Sequence, residues 1–210
     1  MTRSPSRQSE RSGVFANRQL TVQSTDALSL AVELGGILEA AGLPYAIGGA
    51  LALGVHGVSR STQDVDVNVF ITPEALEHLL DLLAANGVQV DRAQARTGGI
   101  SDGVFFTWAG TTRIDVFLPS IELSWEALRT RVAIPIQGQA TWFLSAELLS
   151  CFKLLFFRPK DLLDLERLVG ASASLDTDRV RTLMVEAMGA DDERVRAWDE
   201  IVARCRPKSP

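Results

Sequence analysis

The sequence has little of what marks a secreted, membrane-bound or nucleic-acid-coating protein. Cysteine is scarce: Cys151 and Cys205 are the two in 210 residues. They lie far apart in helical-looking contexts, so free thiols in a reducing compartment are expected rather than a disulfide framework. No apolar run approaches the roughly 20 residues a membrane-spanning helix needs. The first residues carry arginine and serine but no apolar segment of a secretory signal. A cytoplasmic protein without a membrane partner is the expectation. Excess basic charge is missing too. The net charge is −5, and residues 1–20, with Arg3, Arg7, Arg11, Arg18 and Glu10, hold +3 of it, leaving −8 on the remainder. A nucleic-acid binder usually shows a basic domain, so any RNA or DNA contact here must rest on a local patch.

What is present is enough apolar residue, 46% against 22% charged, to bury one domain, or one domain and a small appendage. Residues 1–20 read as a disordered basic tail. Asp26 is an N-cap for a helix that stops at Gly42. A strand follows at 45–47, a short helix from Ala50 to His56, and a strand at 64–70. Thr72-Pro73-Glu74 opens a helix running to Asn86-Gly87, and 88–90 reads as a short strand. The polar, glycine-bearing stretch 91–102 reads as a mobile loop. Strands at 103–108 and 112–117 form a hairpin, 121–130 is helical, and a second hairpin spans 132–143. From residue 145 onward the pattern is helical. Strands first and helices after predict an α+β fold, with a core over 21–144 and a C-terminal helical region over 145–210.

The chemistry-bearing stretch is Gly48-Gly49-Ala50 … Arg60-Ser61-Thr62-Gln63-Asp64-Val65-Asp66. Alternate strand residues share a face, so Asp64 and Asp66 project together while Val65, Val67 and Val69 face the other way. Paired carboxylates repel unless a cation joins them, and such hard oxygen ligands suit Mg²⁺, completed by substrate phosphates. In Arg113-Ile114-Asp115-Val116-Phe117 the same alternation places Asp115 opposite the apolar residues. If the two strands are neighbours, three carboxylates converge and can hold two metal ions. Gly48 and Gly49, lacking Cβ atoms, would let backbone approach a triphosphate, with Arg60, Lys153, Arg158 and Lys160 as phosphate partners. Each element has an ordinary alternative. Asp-Val-Asp alone can be a solvated strand face, Gly-Gly a turn, His56 a structural or capping residue, and the tryptophans and Phe152, Phe156 and Phe157 core. Their combination points to a site.

Gly48-Gly49-Ala50-Leu51-Ala52 … His56-Gly57 … Arg60-x-Thr62-x-Asp64-Val65-Asp66-Val67 resembles the first motif of the nucleotidyltransferase superfamily, the polymerase-beta-like fold. The variant is similar to the AbiEii/MenT-like toxin group. Lys153-Leu154-Leu155 … Arg158-Pro159-Lys160-Asp161-Leu162-Leu163-Asp164 resembles that group's later lysine and Arg-x-Asp-x-x-Asp block. The resemblance implies a nucleotidyltransferase-like mixed sheet flanked by helices and followed by a C-terminal helical bundle. It implies Asp64, Asp66 and Asp115 as Mg²⁺ ligands, with Asp115 also helping to deprotonate the acceptor. Gly48, Gly49, Ala50, Arg60, Thr62, Lys153 and Arg158 would bind the nucleotide, and Asp161 would orient Lys153 or a substrate group. Many relatives carry serine where Ala50 stands. The implied reaction moves a nucleoside monophosphate from an NTP such as ATP to a hydroxyl, releasing pyrophosphate. A toxin acting on tRNA 3′ ends, with an antitoxin partner, is the biological expectation. A small-molecule nucleotidyltransferase of the aminoglycoside or lincosamide type is one alternative, and a non-catalytic nucleotide- or protein-binding relative is the other.

Overall fold

The computed structural model describes residues 26–206; the basic segment 1–20 lies outside the described residues. Helix α1 (Ala27–Ala40) begins where the Asp26 carboxylate accepts from the amides of Leu28 and Ser29. Strand β1 (Tyr45–Ile47) and helix α2 (Gly49–Val55) follow, then β2 (Val65–Val69) and a 3₁₀ turn at Pro73–Ala75 leading into α3 (Leu76–Ala85). Helix α4 (Arg92–Ser101), β3 (Val104–Ala109), β4 (Thr112–Phe117), α5 (Glu122–Thr130), β5 (Val132–Ile136) and β6 (Gln139–Phe143) complete the sheet region. Four helices follow: α6 (Ala146–Phe156), α7 (Pro159–Ala171), α8 (Thr177–Met188) and α9 (Glu193–Cys205).

The six strands form one mixed sheet in the order β3-β4-β2-β1-β6-β5. The hairpins β3/β4 and β5/β6 are antiparallel, β1 runs antiparallel to β2, and β2 runs parallel to β4. Alternation decides which side faces the core. Val65, Val67 and Val69 of β2 are buried together with Ile114 and Val116 of β4 and Phe105 of β3. Helix α1 packs on β1, β2 and β6, and α4 packs on β3. Helix α2 packs on β2 and α6, and α6 in turn carries α7, α8 and α9. The architecture is α+β, as expected.

Two local expectations fail. Residues 91–102 are not a loop but α4, capped by the Asp91 carboxylate accepting from the Ala93 and Gln94 amides. Its glycines mark close packing rather than a turn: a Cβ on Gly98 would strike the Val104 carbonyl, and one on Gly99 would press on Leu118. Arg92 and Arg96 tie the helix to Glu77 and Asp81 of α3. The segment 88–90 makes a single bridge, Gln89 to Trp108, rather than a strand.

Candidate active site

The register of β2 against β4 sets the centre. Asp66 pairs directly with Asp115, so the two carboxylates stand side by side on the face opposite the buried valines. Burial first, and then the neighbouring Asp115 and Asp64, push the Asp66 carboxyl up from 3.8 to about 6, although Lys153 and Lys160 draw it down. Among the described residues none donates a hydrogen bond to its carboxylate. Its backbone carbonyl is engaged, accepting from the Gly48 amide at 2.8 Å. Gly49 sits in the left-handed region at φ 57, where L side chains are strained. A Cβ on Gly49 would also fall within the Asp66 carboxylate. The glycine therefore serves the carboxylate as much as any phosphate.

Asp115 is held differently. Arg113, two residues back on the same face, donates from Nε at 2.8 Å and approaches from Nη2 at 2.7 Å, both to Oδ1. Oδ2 is left for another partner. Asp64 is exposed at the mouth of β2, and Thr62 Oγ1 accepts from its amide at 3.2 Å. That hydroxyl orients the turn carrying Asp64.

The second cluster lies on α6 and α7. Phe157, with φ 53, ends α6 in a left-handed turn, and Pro159 starts α7 one residue after the Arg158 N-cap. This corner aims Lys153 of α6 at α7. Its Nζ donates to Asp164 Oδ2 at 2.8 Å and lies 3.5 Å from Asp161 Oδ1. Arg60 Nη1 donates to the same Asp164 oxygen at 2.7 Å, binding the loop before β2 to α7. Arg158 Nε donates to Asp161 Oδ2 at 2.6 Å and its guanidinium lies over the Phe156 ring. Burial alone would raise the Asp161 carboxyl, but the Arg158 hydrogen bond and Lys153 outweigh it and hold it below the usual range.

Both clusters open on one cleft of about 500 Å³. Every residue that the sequence placed in the site lines it: the Gly48–Ala50 turn, Arg60, Thr62, the three aspartates, Lys153, Arg158 and Asp161. His56 does not; its Nε2 meets the Leu144 carbonyl at 2.8 Å, a structural tie. Four contributors were not assigned roles from sequence. Arg113 and Phe117 share the Asp115 face by simple alternation, and Asn68 follows Asp66 by two on the same face. Asp164 lies one helical turn from Asp161, the spacing that puts both on Lys153. Phe156, expected in the core, is 48% exposed and packs edge-on against Phe117.

The donor set suits a hard cation: crowded carboxylate oxygens, with the Asp66 carboxyl raised to about 6 chiefly by burial and Asp115 Oδ2 open. As folded, no group of three His, Cys, Asp or Glu side chains among the described residues is drawn together to hold a metal. The carboxylate pair fits Mg²⁺ with substrate phosphates completing the shell, rather than an all-protein cage.

Comparison with known proteins finds no matching family model and no matching curated protein. Solved structures do match. An antigenic nucleotidyltransferase-like protein from Paracoccidioides brasiliensis is 17% identical over 83% of this chain and 94% of its own, with a TM-score of 0.44. Two structures of ANT(2'')-Ia are each 15% identical over 85% of this chain, with TM-scores of 0.44. One is a crystal structure with adenylyl-2''-tobramycin, covered over 97% of its length; the other is a solution structure of the antibiotic-resistance factor, covered over 89%. Similarity of this degree assigns neither a reaction nor a substrate to this chain.

Proposed function

We propose that the chain transfers a nucleoside monophosphate from an NTP to a hydroxyl acceptor and releases pyrophosphate. The observation that carries this is the register pairing of Asp66 with Asp115 on a cleft whose opposite wall presents Lys153, Arg158 and Lys160. Phosphoryl transfer asks the protein mainly for position and charge neutralisation, and these are the two things the cleft provides. Asp66 and Asp115 Oδ2 would hold Mg²⁺, with Asp64 turning in from the exposed mouth of β2 as the third ligand; the ion would supply charge neutralisation and activation of the attacking oxygen. Gly48 and Gly49 let the triphosphate lie close to backbone. Lys153, Arg158 and Lys160 neutralise its charge. Asp115 receives the acceptor's hydroxyl proton as the new oxygen–phosphorus bond forms and the bond to the pyrophosphate oxygen breaks. Asp161 and Asp164 hold Lys153 in place.

The resemblance of the two motif blocks to AbiEii/MenT-like toxins supports tRNA 3′ ends as acceptor and a cognate antitoxin as partner. The test is to supply each labelled NTP with Mg²⁺ and, separately, tRNA or an aminoglycoside. Label entering tRNA with release of pyrophosphate is expected. Label entering the aminoglycoside instead would replace the tRNA reading. Binding of NTP–Mg²⁺ without pyrophosphate release in any mixture would overturn the catalytic one.

A further inference from the structure

Resting on that reading, we infer that Phe106 and Trp108 of β3, with Arg113, form a stacking shelf for the flat ring of a nucleotide-like acceptor.

The sheet order places four features in a row: the Gly48–Gly49 turn after β1, Asp66 on β2, Asp115 on β4 and Phe106 on β3. Asp115 pairs with Asp66 on one side and with Phe106 on the other. The donor's phosphates belong on the side of the glycine turn, Arg60 and Lys153. In-line displacement puts the attacking and leaving oxygens on opposite sides of the phosphorus. The acceptor therefore enters from the β3 side.

That side is aromatic. Phe106 is 41% exposed and Trp108 39% exposed, on the outermost strand of the sheet. A single exposed aromatic is ordinary. Here two stand two residues apart on the face that carries the carboxylates, about 7 Å along the strand. Trp108 pairs across the hairpin with Arg113. The Arg113 guanidinium lies 4.8 Å from the centre of the Phe106 ring while its nitrogens hold Asp115. An arginine layered on aromatic rings is a surface on which a base stacks. With the guanidinium paired to Asp115, the shelf offers flat stacking surface rather than net charge, which suits a planar base and gives a polyamine without flat rings nothing to stack on. Arg113 thus links acceptor ring and Asp115 through one side chain.

The test measures binding of a 5′-labelled hexaribonucleotide with a free 3′ end to the full chain by fluorescence anisotropy. Trp108→Ala and Phe106→Ala should each weaken it roughly tenfold, the scale of one lost base stack. Trp108→Phe should stay close to wild type, and calorimetric NTP–Mg²⁺ binding should not change in any of the three. Unaltered thermal melting identifies the alanine variants as folded, and the phenylalanine variant keeps the proposal testable if one of them is not. No hexanucleotide binding by wild type, or binding indifferent to both alanine variants, overturns the shelf. So does tobramycin binding that depends on Trp108, or a dimer that Trp108→Ala dissociates without altering hexanucleotide affinity. If NTP–Mg²⁺ fails to bind while hexanucleotide binding still depends on the shelf, the proposed reaction falls and the shelf stands.

Discussion

Two charged clusters face the same cleft and are built on opposite principles. On the sheet, Asp66 and Asp115 stand together with too little positive charge, and Asp66 is pushed up to about 6. On the helices, Lys153, Arg60 and Arg158 meet Asp161 and Asp164 through four ion pairs between 2.6 and 3.5 Å. Burial acts upward on the Asp66 and Asp161 carboxyls alike, so the contrast comes from the charges beside them. Three cations against two carboxylates leave the helical cluster one positive charge over, while the sheet cluster is left negative. The difference teaches how each wall would serve a ligand: the sheet side a cation, the helical side an anion.

Breaking the sheet cluster should have the largest effect on chemistry. Asp66→Asn keeps the shape and removes one charge. Nucleotidyl transfer, followed by pyrophosphate release, should fall by about three orders of magnitude, the scale on which charge-neutralising groups act in phosphoryl transfer. The same change relieves repulsion, so the metal-free variant should melt about 2–4 °C higher at pH 7, the equivalent of roughly 1 kcal/mol in a domain of this size. A variant that melts lower would show that Asp66 is structurally satisfied after all.

Breaking the helical cluster should have the opposite signature. Asp164→Ala removes the shared acceptor of Lys153 and Arg60 and leaves the buried lysine with Asp161 at 3.5 Å. Loss of one partner from a buried ion cluster costs about 3–5 kcal/mol, read as a lower denaturant midpoint. Gly49→Ala should come next. It would collide with Asp66 and strain a left-handed residue, lowering stability by about 1–2 kcal/mol and reducing transfer through the displaced carboxylate. Partial retention of transfer would mean that Asp66 can move aside.

The smallest effect is a drift with pH. The folded protein binds the Asp66 proton more tightly than the unfolded chain does, so its contribution favours folding at low pH. That contribution declines as pH rises from 3.8 to about 6. Asp161 runs the other way, because its folded carboxyl is held low; its contribution is present above the ordinary carboxylate range and lost on acidification. Melts in chelator between pH 4 and 7 should show the Asp66 decline, and Asp66→Asn should remove it. Mg²⁺ with NTP should flatten the wild-type curve.

Much of the site was legible because strands are periodic. Alternation alone put Asp64, Asp66 and Asp115 opposite the valines. The loop expected at 91–102 was misread because Gly98 and Gly99 are spacing residues in a packed helix, and glycine looks the same in either role. Arg113 was overlooked although it obeys the alternation that revealed Asp115.

Local sequence thus determined the strands, the caps and the face each acidic residue takes, since these depend on neighbours two to four positions away. Only the tertiary structure decided that β2 and β4 lie side by side in a register setting Asp66 against Asp115. Only it decided that Arg60 reaches Asp164 across 104 positions of chain, and that β3 is the outermost strand, with Trp108 left 39% exposed. Those facts depend on which strands pair and which helix covers them, a balance of burial over the whole sheet that no window of sequence contains.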